Sequence, residues 1–118
     1  MNKIITNEYG NIEIAKDTIA TIASTLATDC YGLAGMASQN LKDGISGLLG
    51  REASRKGVEV SIKDGSITIE VYIIVMYGVR IFEVAGNVRE KIKHGVESML
   101  GIKVDKVNVT VHGVKVIN

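Results

Sequence analysis

The chain has 118 residues, which fits one domain over residues 1–118 and leaves no room for two. Hydrophobic residues make up 46% and charged residues 23%, a balance that excludes a disordered chain. With 14 Lys and Arg against 13 Asp and Glu and a formal charge of +1, the chain lacks the excess cations of a general nucleic-acid binder.

Ile and Val number 30 against 6 Leu, so a sheet should carry much of the core. Met1 to Gly10 holds Asn2, Lys3, Asn7 and Glu8 and has no apolar run of signal-peptide length. Gly10 to Ile14 alternates like a short strand. Asp17 offers an N-cap side chain. Ile19, Ile22, Ala23, Leu26, Ala27 and Cys30 then follow at helical spacing, which predicts an amphipathic helix over Lys16–Tyr31, closed by Gly32. Leu33 to Ala37 reads as a short strand.

From Ser38 to Gly57 the pattern weakens. Leu41, Ile45, Leu48 and Leu49 keep helical spacing, but Gly44, Gly47 and Gly50 oppose a helix. The reading is one short helix ending near Gly50, then a mobile basic loop with Arg51, Arg55 and Lys56. Val58, Val60 and Ile62 alternate, Asp64-Gly65 is a two-residue turn signal, and Ile67 to Val75 alternates on the return. A β-hairpin over Val58–Tyr77 follows. A second amphipathic helix is predicted from Arg80 to Leu100. Ile81, Val84, Ala85, Val88, Ile92, Val96 and Met99 lie on its apolar side, and Gly101 closes it. A last strand presents Val107, Val109 and Val111 on one face. Its alternation shifts across Gly113, as a bulge would produce. The expected order is β-α-β-(α)-β-β-α-β. That is an α+β two-layer sandwich, with two long amphipathic helices on one face of a mixed sheet.

One strand face breaks the expected pattern. Opposite Ile67 to Val75 stand Thr68, Glu70, Tyr72, Ile74 and Met76. A sheet covered on one side stays polar on the other, yet the last three positions are large and apolar. Tyr72, Ile74 and Met76 are therefore either buried by the chain itself or a self-association surface. The first helix adds a low-charge stripe of Thr18, Thr21, Thr25 and Thr28.

Catalytic chemistry is not legible. His94 and Glu97 lie three apart on a helix, but two ligands are not a metal site. Cys30 sits on an apolar stripe and reads as a buried core thiol that labels only after denaturation. A single cysteine and no apolar stretch near 18 residues point to a reducing, cytoplasmic setting without a membrane span. Gly47-Leu48-Leu49-Gly50 followed by Arg51, Arg55 and Lys56 matches the GxxG loop of KH domains, a weak pattern that makes these residues a candidate RNA or partner loop. No catalytic residue, cofactor or metal site is expected.

The chain resembles the short type of the alkaline shock protein family, or envelope stress response family, of Gram-positive bacteria. Carrying the resemblance are Tyr9 to Ile14 with Ile19 to Ala23, Asp29 to Ala37, Lys56-Gly57-Val58, Tyr77-Gly78, Glu83 to Val88, Val107-Asn108-Val109 and Gly113-Val114. The resemblance implies a non-enzymatic, self-associating scaffold linked to envelope stress. It also implies a cytoplasmic protein, held at the inner face of the membrane by a membrane-anchored protein partner. The rival expectations are a KH-like RNA-binding module and an accessory subunit of a lipid or envelope metabolic enzyme.

Overall fold

A computed structural model describes residues 2–37 and 57–116. Alternation builds its centre. Val58, Val60 and Ile62 of β4 (Val58–Lys63) and Ile67, Ile69, Val71, Ile73 and Val75 of β5 (Ser66–Met76) turn to one face. The five from β5 are fully buried. Asp64 (φ 52°) and Gly65 (φ 81°) take left-handed conformations in the turn between them, as a tight hairpin requires. The hairpin register runs from Lys63 opposite Ser66 to Val58 opposite Val71.

Two further strands attach to β5. On one edge β6 (Lys106–Lys115) lies parallel, from Lys106 opposite Thr68 to Lys115 opposite Met76. Its register shifts between Val111 and Gly113, the bulge expected there. On the other edge, in line with β4, β3 (Leu33–Met36) runs antiparallel, with Leu33 opposite Val75 and Met36 opposite Ile73. Tyr72 falls between the two segments. Its carbonyl accepts from the Ala37 N–H at 2.9 Å, and its N–H donates to the Gly57 carbonyl at 2.8 Å. Thus β3 and β4 form one edge strand, interrupted at Tyr72 by the insertion of residues 38–56.

Two helices cover the apolar face. Helix α1 (Lys16–Thr28) buries Ile19, Ala20, Ala23 and Ala27 and packs over β3 and β4. Helix α2 (Ile81–Leu100) buries Val84, Val88, Ile92 and Val96 and packs over β6. The helices meet where Gly95 faces Leu26; a Cβ at Gly95 would run into the Leu26 side chain. All buried side chains among the described residues are apolar. This core has no aromatic ring: Tyr9, Tyr31, Tyr77 and Phe82 are exposed, and Tyr72 is half-buried. After α2, Gly101 (φ 68°) ends the helix as expected. Asp105 then clips the chain to the start of β5. Its N–H donates to the Ile67 carbonyl at 2.9 Å, and its carboxylate accepts from the Ile67 N–H at 2.8 Å.

The α+β class, the mixed sheet and the two helices agree with the sequence reading; the order differs at the N-terminus. Lys3–Asn7 is a strand, β1, and pairs with β2 (Gly10–Ile14) in a separate two-stranded sheet. The described order is therefore β-β-α-β-β-β-α-β. Helix α1 ends at Thr28, not Tyr31. The Asp29 and Cys30 N–H groups reach back three residues, to Leu26 and Ala27 carbonyls at 3.3 and 3.0 Å, a tightening that ends the α-helical ladder. Ala15, not Asp17, is its N-cap. On α2, Ile81 and Met99 are 39% and 66% exposed, because the end turns extend past the core. The expected short helix and most of the basic loop lie outside the described residues.

Gly57 is the residue on which the interrupted edge turns. Its φ is +86°, and an added Cβ would lie 2.8 Å from Met36 Cβ and 2.9 Å from the Ala37 carbonyl. Gly57→Ala is expected to cost about 1–3 kcal/mol from the backbone conformation alone, and more from these overlaps. At Gly86, inside α2, nothing lies within 4 Å of an added Cβ. There alanine should stabilise by up to about 1 kcal/mol through helix propensity. Urea unfolding of the two variants measures both signs.

Candidate functional site

The candidate site is the face of β5 turned away from both helices. Thr68, Glu70, Tyr72, Ile74 and Met76 alternate along it, each half-buried. Neighbouring strands supply its flanks by register. Glu59 and Asn108 lie beside Glu70, and Asn108 Nδ2 donates to Glu70 Oε2 at 2.8 Å. Thr110 pairs with Tyr72 and Lys115 with Met76. The face is thus polar toward the β4–β5 turn and apolar toward the C-terminal end of β5.

Ile74 has a particular position. Its register partners are Gly35 on β3 and Gly113 on β6, and no atom of the described residues lies within 4 Å of where either glycine would carry a Cβ. Among the described residues, the isoleucine therefore rises between two positions that carry no side chain. One rung away, the Tyr72 ring meets His112 with centroids 5.2 Å apart and planes tilted by 59°. Partial burial, and then the charges of Glu59 and Glu70, push the Tyr72 phenol above its usual range. Tyr72, Ile74 and Met76 are not among the side chains packed on the helix-side core.

The other candidate residues, Gly47, Gly50, Arg51, Arg55 and Lys56, lie outside the described residues. Their segment leaves the sheet at Ala37 and re-enters at Gly57, the two residues hydrogen-bonded to Tyr72. The sequence carries no signal of this convergence, nor of the glycines beside Ile74, since register between distant strands is not a local pattern. The bulge near Gly113 was legible, and it is what brings His112 beside Tyr72.

The other side chains singled out from the sequence make local contacts. His94 Nε2 lies 3.4 Å from Glu90 Oε1, one turn earlier, and not with Glu97. Glu97 instead accepts from the Val104 N–H at 2.9 Å and from Lys93 Nζ at 3.3 Å, while Lys93 also donates to the Val104 carbonyl at 2.9 Å. The Val104 N–H and then Lys93 hold the Glu97 carboxyl below its usual range. Two hydroxyls of the threonine stripe turn back onto their own helix, Thr25 to the Thr21 carbonyl and Thr28 to the Thr25 carbonyl, both at 2.9 Å. Cys30 is half-buried rather than fully buried, with Sγ 3.8 Å from the Leu26 carbonyl. Burial raises its pKa. Among the described residues no three His, Cys, Asp or Glu side chains gather as metal ligands. No described helix is long and apolar enough to cross a membrane.

Fold and site together define an α+β domain that carries three apolar side chains, Tyr72, Ile74 and Met76, at one end of the β5 face turned away from its helices. The chain belongs to the alkaline shock protein 23 family, whose model, described by a cell envelope-related function, matches residues 4–116. This agrees with the resemblance read from the sequence. The chain is 46% identical to the YloU protein of Bacillus subtilis (strain 168) over 112 residues, covering 94% of this chain and 93% of that one. To the Spy1614 protein of Streptococcus pyogenes serotype M6 it is 42% identical over 114 residues, 96% of this chain and 94% of that one. The YqhY protein of Bacillus subtilis is 34% identical over 106 residues, 90% and 78% of the two chains. No solved structure matches the chain.

The Glu97 network carries a pH signature. Because its carboxyl has a lower pKa folded than unfolded, the stabilisation is complete above the unfolded value, about 4.3, and is lost as pH falls through the folded one. Urea midpoints of the wild type should fall further below that pH than those of Glu97→Gln; parallel curves would show that the Glu97 carboxylate does not stabilise the fold through its bonds to Val104 and Lys93. Cys30 should label slowly with a thiol probe in the native state, at a rate set by its half-buried site, and much faster in denaturant.

Proposed function

We propose that this domain is a non-enzymatic, self-associating scaffold of the cell envelope stress response, brought to the membrane by a protein partner. The observation that carries the reading is Ile74 between Gly35 and Gly113, with Tyr72 and Met76 on either side along β5. A large apolar side chain flanked by bare backbone is a self-complementary shape. Tyr72, Ile74 and Met76 are already half-buried, so burying the remainder of each would contribute roughly half of the 1.5–3 kcal/mol that burial from full exposure gives, and the three together suit the anchor cluster of an interface. Membership of the alkaline shock family supports the link to the envelope. Recruitment by a protein partner is supported by the near-balanced charge, which gives little electrostatic attraction to anionic lipid.

Replacing Ile74 by Glu places a charge at the centre of this contact. The expected result is a lower mass by light scattering, with an unchanged far-ultraviolet circular dichroism spectrum. A wild type that stays monomeric at high concentration, or an Ile74→Glu variant that unfolds, would defeat the reading. Unfolding would place Ile74 in the chain's own core.

A further inference from the structure

Among the described residues, the outer edge of β4 is a second unpaired surface of the larger sheet. Tyr72 and Gly57 form a hydrogen-bonded pair across the ladder. In an antiparallel ladder such pairs alternate with non-bonded ones. Glu59, Ser61 and Lys63 therefore direct their backbone groups toward β5, and Val58, Val60 and Ile62 direct theirs outward. No described residue bonds those outward N–H and carbonyl groups; β4 pairs with β5 alone. A cleft of about 340 Å³ runs along this edge, between β4 from Val58 to Ser61 and the first turns of α1 at Lys16, Asp17 and Ala20.

An open edge is a template for another strand, and proteins blunt edges they do not use with bulges, lysines or prolines. The outer edge of β6 is blunted in this way, with a register shift after Val111 and lysines at positions 106 and 115. The β4 edge has no register shift over its six residues and a single lysine, Lys63, at its end.

We propose that β4 pairs antiparallel with β4 of a second copy, about a two-fold axis through Val60. The edge is self-complementary in that register. Val60 faces the second copy's Val60, and Val58 faces the second copy's Ile62, so all outward groups find partners. The Val58, Val60 and Ile62 side chains continue one apolar layer beneath the two α1 helices. On the other face Glu59 meets the second copy's Ser61, and Lys63 meets the second copy's Gly57, so no like charges are directly opposed. A closed two-fold pair is the commonest oligomer geometry. The inference deepens the self-association reading by naming a different surface from the Ile74 face.

Disulfide cross-linking tests the register. With Cys30 replaced by Ser throughout, Glu59→Cys and Ser61→Cys chains are mixed and oxidised with copper phenanthroline. Facing residues of a non-bonded antiparallel pair have Cα atoms about 4.5 Å apart, within disulfide range. The control position is Ser98, which is exposed near the end of α2. The mixture should give several-fold more linked dimer than either chain alone, or than Ser61→Cys mixed with Ser98→Cys. Dimer no greater than in these controls overturns the proposal. The Ile74→Glu substitution, added to both chains, separates the two readings. Cross-linking that survives it supports the edge contact as independent of the Ile74 face. If light scattering of the wild type shows an Ile74-dependent oligomer while the mixture does not cross-link, the edge inference fails and the face reading stands. If the mixture cross-links and Ile74→Glu changes no mass, the face reading fails and the edge stands.

Discussion

Five β-branched side chains at alternate positions of β5, from Ile67 to Val75, have no solvent exposure, and every other strand of the larger sheet hydrogen-bonds to this one. The rest of the structure depends on that strand. Its helix-side face sets where α1 and α2 rest, and its length lets two segments, β3 and β4, share one edge while β6 occupies the other. Because side chains alternate strictly, burying one face so completely determines the other: Thr68, Glu70, Tyr72, Ile74 and Met76 must point away from the helices. A one-residue slip would exchange the two sets, so the same packing that stabilises the domain also holds Ile74 in place on the opposite face.

Local patterns carried much of this fold. Alternation located β4, β5 and β6, Asp64-Gly65 located the hairpin turn, and Gly101 located the end of α2. The misses have physical causes. The strand at Lys3–Asn7 belongs to a mostly exposed hairpin, so burial imposes no clear apolar alternation on its sequence. Helix α1 stops at Thr28 although Cys30 continues the apolar stripe, because the last turn tightens and carries Cys30 onto the core from outside the helix. The pairing of His94 followed the four-residue spacing to Glu90, since Glu97 was already held by Lys93 and the Val104 N–H. No single-sequence pattern says that β3 and β4 are collinear. Twenty-one residues of chain separate Met36 from Val58, and only their separate registers on β5 put them in line.

The candidate site was legible to a similar depth. Three apolar residues on the face that should be wet were visible as an anomaly of alternation. What makes the anomaly a candidate contact surface is the pair of glycines beside Ile74, and that depends on the β3 and β6 registers. The bulge contributes directly. By skipping one residue of β6 it places Gly113, rather than His112, opposite Ile74, and leaves the imidazole beside Tyr72. Without the shift a side chain, rather than a glycine, would stand opposite Ile74 on β6.

The absence of aromatic residues from the described core bears on the same surface. Ile, Val and Ala fill the space between sheet and helices, so Tyr72 is not required for internal packing. Large side chains at the periphery are useful where a second molecule is to be engaged, since aromatic anchors combine apolar area with few rotatable bonds. The two proposed contacts also act in different directions. Pairing through the β4 edge extends a sheet within its own plane, and a two-fold axis perpendicular to that plane leaves both Ile74 faces on the same side. Such a pair meets another pair with two apolar patches instead of one. The second contact then becomes intramolecular, so individually weak patches hold together through effective concentration. An assembly built on both proposed contacts would respond steeply to protein concentration, so the proposed recruitment by a membrane-anchored partner would by itself be enough to trigger its growth.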